Sequence, residues 1–122
     1  MKQKITILTH LPSLNQYINA ERGNKFAAAK MKKTYTQAVE YELLSVKIKP
    51  IKGRVKLTFN WFVKDRKTDP DNICFGIKFL MDALVNQEII QGDGWKFIDN
   101  FRHNFEIDKE NPRVEIIIQQ ID

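Results

Sequence analysis

The sequence predicts a single α+β domain in which two main helices pack against a mixed sheet of four or five strands. Residues 55–63 alternate between apolar and polar side chains, which is typical of a half-buried strand. Between residues 26 and 46, apolar side chains recur at steps of three and four, the period of an amphipathic helix. At 122 residues, 43% of them hydrophobic, the chain suits one modest core and is too short for two domains. Residues 1–122 are therefore expected to form one domain.

The first elements are predicted to be a strand, a long loop and a helix. Lys4 to Thr9 form the strand, and Pro12 with the polar residues after it ends the alternation. Residues 10–25 are expected to be the longest stretch without regular structure. A helix from about Phe26 to Val46 follows from apolar positions at helical spacing: Met31, Tyr35, Ala38, Val39, Leu43 and Val46.

The next two elements are predicted to be a strand and a second helix. Gly53 precedes the strand, which runs from Val55 to Val63. The helix is expected from Asp71 to about Val85. It is predicted by apolar residues spaced by four, three and four: Ile73, Ile77, Leu80 and Leu84.

Two further strands complete the predicted sheet. One has an apolar side formed by Phe97, Phe101, Phe105 and Ile107, and the other runs from Val114 to Ile118. His103 falls on the same side as the phenylalanines. A packed or half-buried histidine is therefore favoured over a ligand or a general base.

The charge of the chain is unevenly distributed. The net charge is +5 and the pI is about 9.4. Residues 1–66 carry 14 Lys/Arg against 4 Asp/Glu, a balance of +10, whereas residues 67–122 carry 6 against 11, a balance of −5. A basic half suits a polyanion, because binding releases counterions, and an acidic half suits a cation. The combination indicates a nuclease, although a solvated surface of uneven charge would give the same counts.

The basic residues gather before and within the first predicted helix. Lys30, Lys32 and Lys33 lie near its start, with Arg22 and Lys25 upstream. Cations near a helix N-terminus oppose the helix dipole, at a cost of about 0.3–1 kcal/mol each. Contact with nucleic-acid phosphates is therefore favoured over a purely solvated role.

Cysteine content and hydropathy exclude several classes of protein. A single cysteine, Cys74, cannot form an internal disulfide or a cysteine-based zinc site, so nothing indicates an oxidising compartment. Its simplest role is that of a buried small apolar side chain. No apolar stretch approaches the roughly 18 residues needed to span a bilayer. We expect a cytoplasmic protein without a membrane partner.

Asp69-Pro70-Asp71-Asn72 lies between a predicted strand and a predicted helix. One interpretation is structural, because Asp is a good N-cap, Pro a favoured first helical residue and Asp a favourable first-turn residue. A calcium-binding EF-hand loop is excluded, because Cys74 and Leu80 stand where it requires Gly and Glu. The other interpretation is a metal site, which needs further ligands.

Three residues beyond this motif could complete such a site. Lys78 follows Asp71 by seven positions, within roughly 20° of the same face of a continuous helix. Asp82 shares that face and could pair with Lys78. Asp93, in the turn Gly92-Asp93-Gly94, could return beside the start of the helix, although an Asp between glycines is also common turn chemistry.

Three carboxylates and a lysine suit phosphodiester hydrolysis. Mg²⁺ is typically held by one or two carboxylates, waters and substrate phosphate. It polarises the scissile phosphate and supplies hydroxide for attack, while a lysine offsets charge that builds up in the transition state.

These residues together resemble the RusA family of Holliday junction resolvases. The shared features are Asp69-Pro70-Asp71-Asn72, Lys78, Met81-Asp82-Ala83-Leu84, Gly92-Asp93 and the opening Pro12-Ser13-Leu14-Asn15. Two departures stand out. Counted directly from the first motif, the family lysine would fall on Phe75, so Lys78 implies an extra helical turn at residues 73–76. Gly92 also stands where the family often has an aspartate.

The resemblance implies a homodimeric, typically phage-derived, Mg²⁺-dependent RusA-like enzyme, with Mn²⁺ as an alternative ion. Such enzymes make paired symmetric nicks in four-way or related branched DNA, in recombination and repair. Asp69, Asp71 and Asp93 would bind the metal, Lys78 would be the catalytic lysine, and Asn15 would join the basic residues in contacting DNA. A non-catalytic basic DNA-binding module and an RNA-directed nuclease are the alternatives.

Overall fold

The computed structural model of the protein describes residues 2–121, and their four strands form one mixed sheet. The order is β1-β4-β2-β3; β4 is antiparallel to β1 and β2, whereas β2 and β3 are parallel. The predicted α+β class with a mixed four- or five-stranded sheet is confirmed. The strands are β1 (Lys2–Ile7), β2 (Val55–Val63), β3 (Ile98–Ile107) and β4 (Arg113–Gln120).

The helices differ from the prediction in two places. They are α1 (Leu14–Gly23), α2 (Lys25–Leu43), α3 (Pro70–Ile73) and α4 (Ile77–Asn86). The predicted structureless stretch at residues 10–25 is wrong, because α1 occupies most of it. Ser13 and Gln16 form a reciprocal capping box in which each side chain accepts a hydrogen bond from the other residue's backbone N–H. No residue of α1 is buried.

The second correction concerns the helix predicted from Asp71 to Val85. A 3₁₀ turn at Cys74–Gly76 divides it into α3 and α4. A Cβ atom at Gly76 would lie 3.0 Å from Leu11 Cδ1 and 3.0 Å from Trp61 Cη2. The chain therefore approaches the end of the sheet closely at Gly76, and only a residue without a side chain fits there without displacing a neighbour.

The core lies between one face of the sheet and helices α2 and α4. The sheet contributes Ile5, Ile7, Val55, Leu57, Phe59, Trp61, Val114, Ile116 and Ile118, and the helices contribute Val39, Leu43, Leu80, Met81, Ala83 and Leu84. None of the helices within residues 2–121 is long and apolar enough to cross a membrane.

β3 is an edge strand, and the side chains on its core side are only partly covered. On the core side of this strand, Phe101 is 38% exposed, Phe105 37% and Ile107 46%. His103 lies among them, half-buried, and its Nδ1 accepts a hydrogen bond from Trp61 Nε1 at 2.9 Å. Burial lowers the pKa of the His103 imidazole. The prediction of a packed histidine is confirmed.

Candidate active site

Asp69 occupies the N-cap position of α3, but its carboxylate makes no capping hydrogen bond. The backbone carbonyl of Asp69 accepts hydrogen bonds from the N–H groups of Asn72 (3.0 Å) and Ile73 (3.1 Å), and Pro70 is the first helical residue. The prediction that this motif starts a helix is therefore confirmed. The predicted capping hydrogen bond of the Asp69 carboxylate is absent. An exposed carboxylate beside a helix start that does not need it is available to a ligand.

Asp71, two residues after Asp69, provides a second exposed carboxylate in the first turn of α3. Two carboxylates separated by one residue can approach a single hard cation, and Mg²⁺ commonly takes only one or two from the protein. Cys74 lies beside Asp71, and its thiol is 3.6 Å from the Asp71 carbonyl oxygen. Burial raises the pKa of this thiol. A raised pKa disfavours the thiolate, which is the nucleophilic form of the side chain.

Lys78 is exposed on the first turn of α4, but the geometry predicted for it is wrong. That geometry assumed one continuous helix from Asp71. A 3₁₀ turn advances about 120° per residue rather than 100°, so residues 74–76 shift Lys78 by about 60°. The extra turn inferred at residues 73–76 overlaps this 3₁₀ turn. Catalysis by Lys78 stays a prediction.

Asp82 pairs with a different lysine from the one expected. Its Oδ2 lies 3.3 Å from Nζ of Lys32 in α2, whereas no ion pair between Asp82 and Lys78 is present in the described part of the chain. The pair connects α2 to α4. Lys32, one of the predicted DNA contacts, is therefore already engaged by a carboxylate, although its side chain remains 53% exposed.

Asp93 lies at the opposite end of the sheet from Asp69 and Asp71. The backbone N–H of Val55 donates a hydrogen bond to the carbonyl oxygen of Phe97 (2.8 Å). This bond holds the loop that contains Asp93 beside the start of β2. Asp69 instead follows the end of β2. The start and the end of this strand, Val55 and Val63, are about 26 Å apart, because each of the eight residue-to-residue intervals adds about 3.3 Å. The expected return of Asp93 to the helix start is therefore wrong for a single chain. Correspondingly, residues 2–121 contain no group of three His, Cys, Asp or Glu side chains that could hold a metal ion.

The loop around Asp93 also explains a departure from the family pattern. A Cβ atom at Gly92 would lie 2.6 Å from Cδ2 of Phe97. An aspartate here, as the family often has, would require the Phe97 ring to move. The Phe97 ring therefore occupies the space that a side chain at Gly92 would need.

The predicted DNA contacts lie on a helical hairpin formed by α1 and α2. All of them have exposed side chains: Asn15, Arg22, Lys25, Lys30, Lys32 and Lys33. Asn24 joins the two helices, and its Oδ1 accepts a hydrogen bond from Phe26 N at 2.7 Å. The hairpin thus carries a concentrated positive charge, which suits a phosphate backbone. Contact with DNA stays a prediction for these residues.

Trp95 was not singled out by the sequence prediction. Its side chain is 95% exposed, which is unusual for the largest aromatic residue, and it follows Asp93 by two positions. The signal in the sequence was a tryptophan directly after a glycine-flanked turn, with Lys96 next to it.

Comparison with known proteins identifies the family of the chain. A family model described as Endodeoxyribonuclease RusA matches residues 9–119 of the 122-residue chain. No curated protein matches the chain. The matched range contains α1 to α4, β2, β3 and nearly all of β4, together with every predicted site residue. The chain therefore belongs to the RusA family of endodeoxyribonucleases and is an endonuclease that hydrolyses phosphodiester bonds.

Proposed function

We propose that this endonuclease cleaves four-way and related branched DNA with a divalent cation, as a homodimer, in DNA recombination and repair. One observation supports a metal-dependent site above the others. Asp69 stands at a helix start without using its carboxylate as a cap, next to a second exposed carboxylate at Asp71. A purely structural motif would have engaged the first carboxylate with a backbone N–H.

Mg²⁺ is the proposed ion, with Mn²⁺ as a substitute. Asp69 and Asp71 fit it chemically, because both ions favour carboxylate oxygens. Asp93, which lies at the other end of the sheet within one chain, is the proposed third ligand and would come from the second subunit of the homodimer. The bound ion would polarise the scissile phosphate and promote attack by water. The negative charge of the aspartates would otherwise repel DNA.

The protein supplies binding and charge stabilisation around this ion. The hairpin of α1 and α2 would hold the phosphate backbone through Arg22, Lys25 and its other basic residues. Lys78, exposed on the first turn of α4, would offset negative charge on the leaving group. In a dimer with two-fold symmetry, two such sites face a four-way junction symmetrically, which accounts for paired nicks.

A synthetic four-way junction labelled on each strand tests the proposal. We expect symmetric nicks in Mg²⁺ or Mn²⁺ and none in EDTA. Asp71→Asn and Asp93→Asn should each lose at least about a hundredfold in cleavage rate, as is typical when transition-state electrostatics are removed. Asp99→Asn is the matched control, because Asp99 is an acid on the surface that pairs with Arg54.

The alternatives predict different results. Junction binding in EDTA without cleavage in either metal would indicate a non-catalytic DNA-binding module. Faster cleavage of an RNA substrate than of the DNA junction would indicate an RNA-directed nuclease. Wild-type cleavage rates in both aspartate variants would refute the assignment of the site.

A further inference from the structure

We propose that Phe26, at the tip of the helical hairpin formed by α1 and α2, stacks on a nucleobase at the branch point of the DNA and thereby makes the enzyme prefer branched over linear substrate. The inference rests on the proposed function and deepens it. It assigns recognition of the branch point to an aromatic side chain, in addition to the charges that hold the phosphates.

Phe26 is a large apolar side chain that the core does not use. It is the second residue of α2 and is 72% exposed, whereas the buried residues of this helix are Ala28, Thr36, Val39 and Leu43. Covering the ring would remove apolar surface from water and contribute favourable free energy. A single exposed apolar residue is common on protein surfaces, so the inference depends on what surrounds it.

The surroundings of Phe26 are basic. Lys25 Nζ lies 5.5 Å from the centre of the Phe26 ring, and Arg22 lies in the last turn of α1. Neither cation belongs to an ion pair within residues 2–121. Lys30 follows Phe26 by four positions and therefore lies on the same face of α2. A ring with an ammonium group beside it fits both parts of a nucleotide, because the ring stacks on the base and the cation attracts the phosphate.

The turn that presents Phe26 is short and fixed by hydrogen bonds. Asn24 alone separates α1 from α2. Its Oδ1 accepts a hydrogen bond from the backbone N–H of Phe26 at 2.7 Å, and its own N–H donates to the carbonyl oxygen of Ala20 at 3.0 Å. Asn24 thus ends one helix and starts the next. A residue on such an ordered turn loses less conformational entropy on binding than one on a flexible loop.

Four aromatic rings hold the hairpin against the segment that carries the candidate site. Tyr17 of α1 lies 5.2 Å from Phe75, and Tyr35 of α2 lies 6.0 Å from Phe79, measured between ring centres. Phe75 and Phe79 are 5.8 Å apart and thus join the two contacts. Ring pairs at these distances are stabilising. Phe75 belongs to the 3₁₀ turn directly after α3. The hairpin is therefore held in a defined position relative to the two carboxylates of α3.

Phe26 and these carboxylates lie towards the same end of the helix pair α2 and α4. Lys32 pairs with Asp82, and further along both helices Glu40 Oε1 accepts a hydrogen bond from Asn86 Nδ2 at 2.8 Å. The two helices therefore run side by side in the same direction. Phe26 precedes Lys32 by six residues, about 9 Å of helix. The chain keeps right-handed helical dihedral angles on both sides of the 3₁₀ turn, so α3 extends α4 towards that same end.

Branched DNA offers a base that a continuous duplex does not. Within a duplex, each base is covered on both faces by its neighbours, and apolar side chains such as phenylalanine enter only by unstacking a base step. At a branch point the strands change partners, so stacking is interrupted and a base is reached at lower cost. The phosphates, in contrast, attract the basic residues of the hairpin in both kinds of DNA. Stacking on Phe26 would therefore favour the branch point.

Binding to a four-way junction and to a linear duplex of the same length, in EDTA at one salt concentration, tests the contact. Phe26→Ala should weaken junction binding roughly 5- to 150-fold, which corresponds to the loss of one stacked base, and leave duplex binding nearly unchanged. Phe26→Tyr should keep the preference for the junction. Lys25→Gln should weaken binding to both substrates, because it removes a phosphate contact. Tyr41→Ala is the matched control, because Tyr41 is 77% exposed near the other end of α2.

A fluorescent adenine analogue, 2-aminopurine, placed at the branch point reports on stacking directly. At saturating protein, its emission should change with the wild type and with Tyr41→Ala but not with Phe26→Ala.

The outcomes separate this contact from the proposed function. If the wild type prefers the junction and Phe26→Ala keeps that preference, the contact is wrong and the proposed substrate stands. If the wild type binds the duplex as tightly as the junction, the proposed substrate and the contact are both wrong. Loss of dimerisation by Phe26→Ala in sedimentation equilibrium, with junction preference retained, would show that the ring packs against a second copy of the chain and would overturn the proposal.

Discussion

Asp71 and Asp93 lie at opposite ends of the parallel strands β2 and β3, although both belong to the motifs that define the candidate site. The segment from α3 to α4 carries the chain back along the sheet between them, as a parallel crossover requires. Asp71 and Asp93 can therefore serve the same reaction only if a second protomer brings its Asp93 close to Asp71 of the first.

The two helix starts at Ser13 and Asp69 should respond differently to substitution. Ser13→Ala removes a working cap and should lower the free energy of unfolding by about 1 kcal/mol. Asp69→Asn removes a carboxylate that makes no capping bond, so stability should change by less than about 0.5 kcal/mol. Chemical denaturation measures both values. A loss of more than 1 kcal/mol in Asp69→Asn would mean that this side chain is mainly structural.

The pair formed by Lys32 and Asp82 should make a small contribution to stability. Their side chains are 53% and 33% exposed, and exposed pairs contribute about 0.2–1 kcal/mol. A double-mutant cycle with Lys32→Gln and Asp82→Asn should give a coupling energy in that range. The same cycle with Lys33→Gln is the control and should give no coupling. Coupling between Asp82 and Lys78 instead of Lys32 would contradict the structure.

Trp95 should contact DNA beside Asp93. Stacking of a base on an aromatic side chain contributes about 1–3 kcal/mol, so Trp95→Ala should weaken junction binding roughly 5- to 150-fold. Trp95→Phe should retain most of the affinity. Tyr41→Ala is the control, because Tyr41 is also exposed, at 77%, but lies near the end of α2, eight residues after the last basic residue of that helix, Lys33.

Fluorescence gives an independent measure of the same contact. The chain has two tryptophans, and Trp61 is only 5% exposed. Acrylamide quenching therefore reports mainly on Trp95. Junction binding should protect it from the quencher, and unchanged quenching in the complex would contradict the contact.

Acidification should destabilise the protein through His103. Its pKa in the folded state is lowered by burial, so the unfolded state binds the proton more readily. The stability contributed by the neutral ring is present above the unfolded pKa of about 6.5 and is lost as the pH falls towards the folded value. Protonation of Nδ1 would also remove the hydrogen bond from Trp61.

The measurement is the free energy of unfolding between about pH 7.5 and pH 5.5, a window around the ordinary histidine pKa. His103→Gln keeps a hydrogen-bond acceptor but does not titrate, so its stability should fall less over this range. Equal losses in the variant and the wild type would show that other groups cause the pH dependence.

Several elements of the fold were predictable because their apolar residues repeat with the period of a strand or of a helix. β2 was predicted with its observed bounds, since its alternation is interrupted only by Phe62, and α2 begins within one residue of the expected start. α1 was missed because Pro12 and the polar residues after it are typical of a loop, and only Leu14, Tyr17 and Ile18 fall at helical spacing. Its signal was the Ser13 and Gln16 capping pattern, which does not depend on an apolar stripe.

The sequence predicted which residues belong to the candidate site but not their relative positions. The 3₁₀ turn ends at Gly76, where the chain packs closely against Leu11 and Trp61. Because these two residues are distant in sequence, local helix periodicity does not reveal the break. The position of Asp93 depends on the parallel pairing of β2 and β3. A strand, helix and strand in succession favour such pairing, and this would have placed Asp93 at the far end of the sheet.

The most direct test of a shared metal site is the crystal structure of the full chain grown with Mn²⁺, with the ion located by anomalous scattering. The predicted result is a Mn²⁺ ion between Asp69 and Asp71 of one protomer and Asp93 of the other. An ion held by Asp69, Asp71 and Asp93 of the same protomer, or the absence of an ion at Asp69 and Asp71, would contradict it.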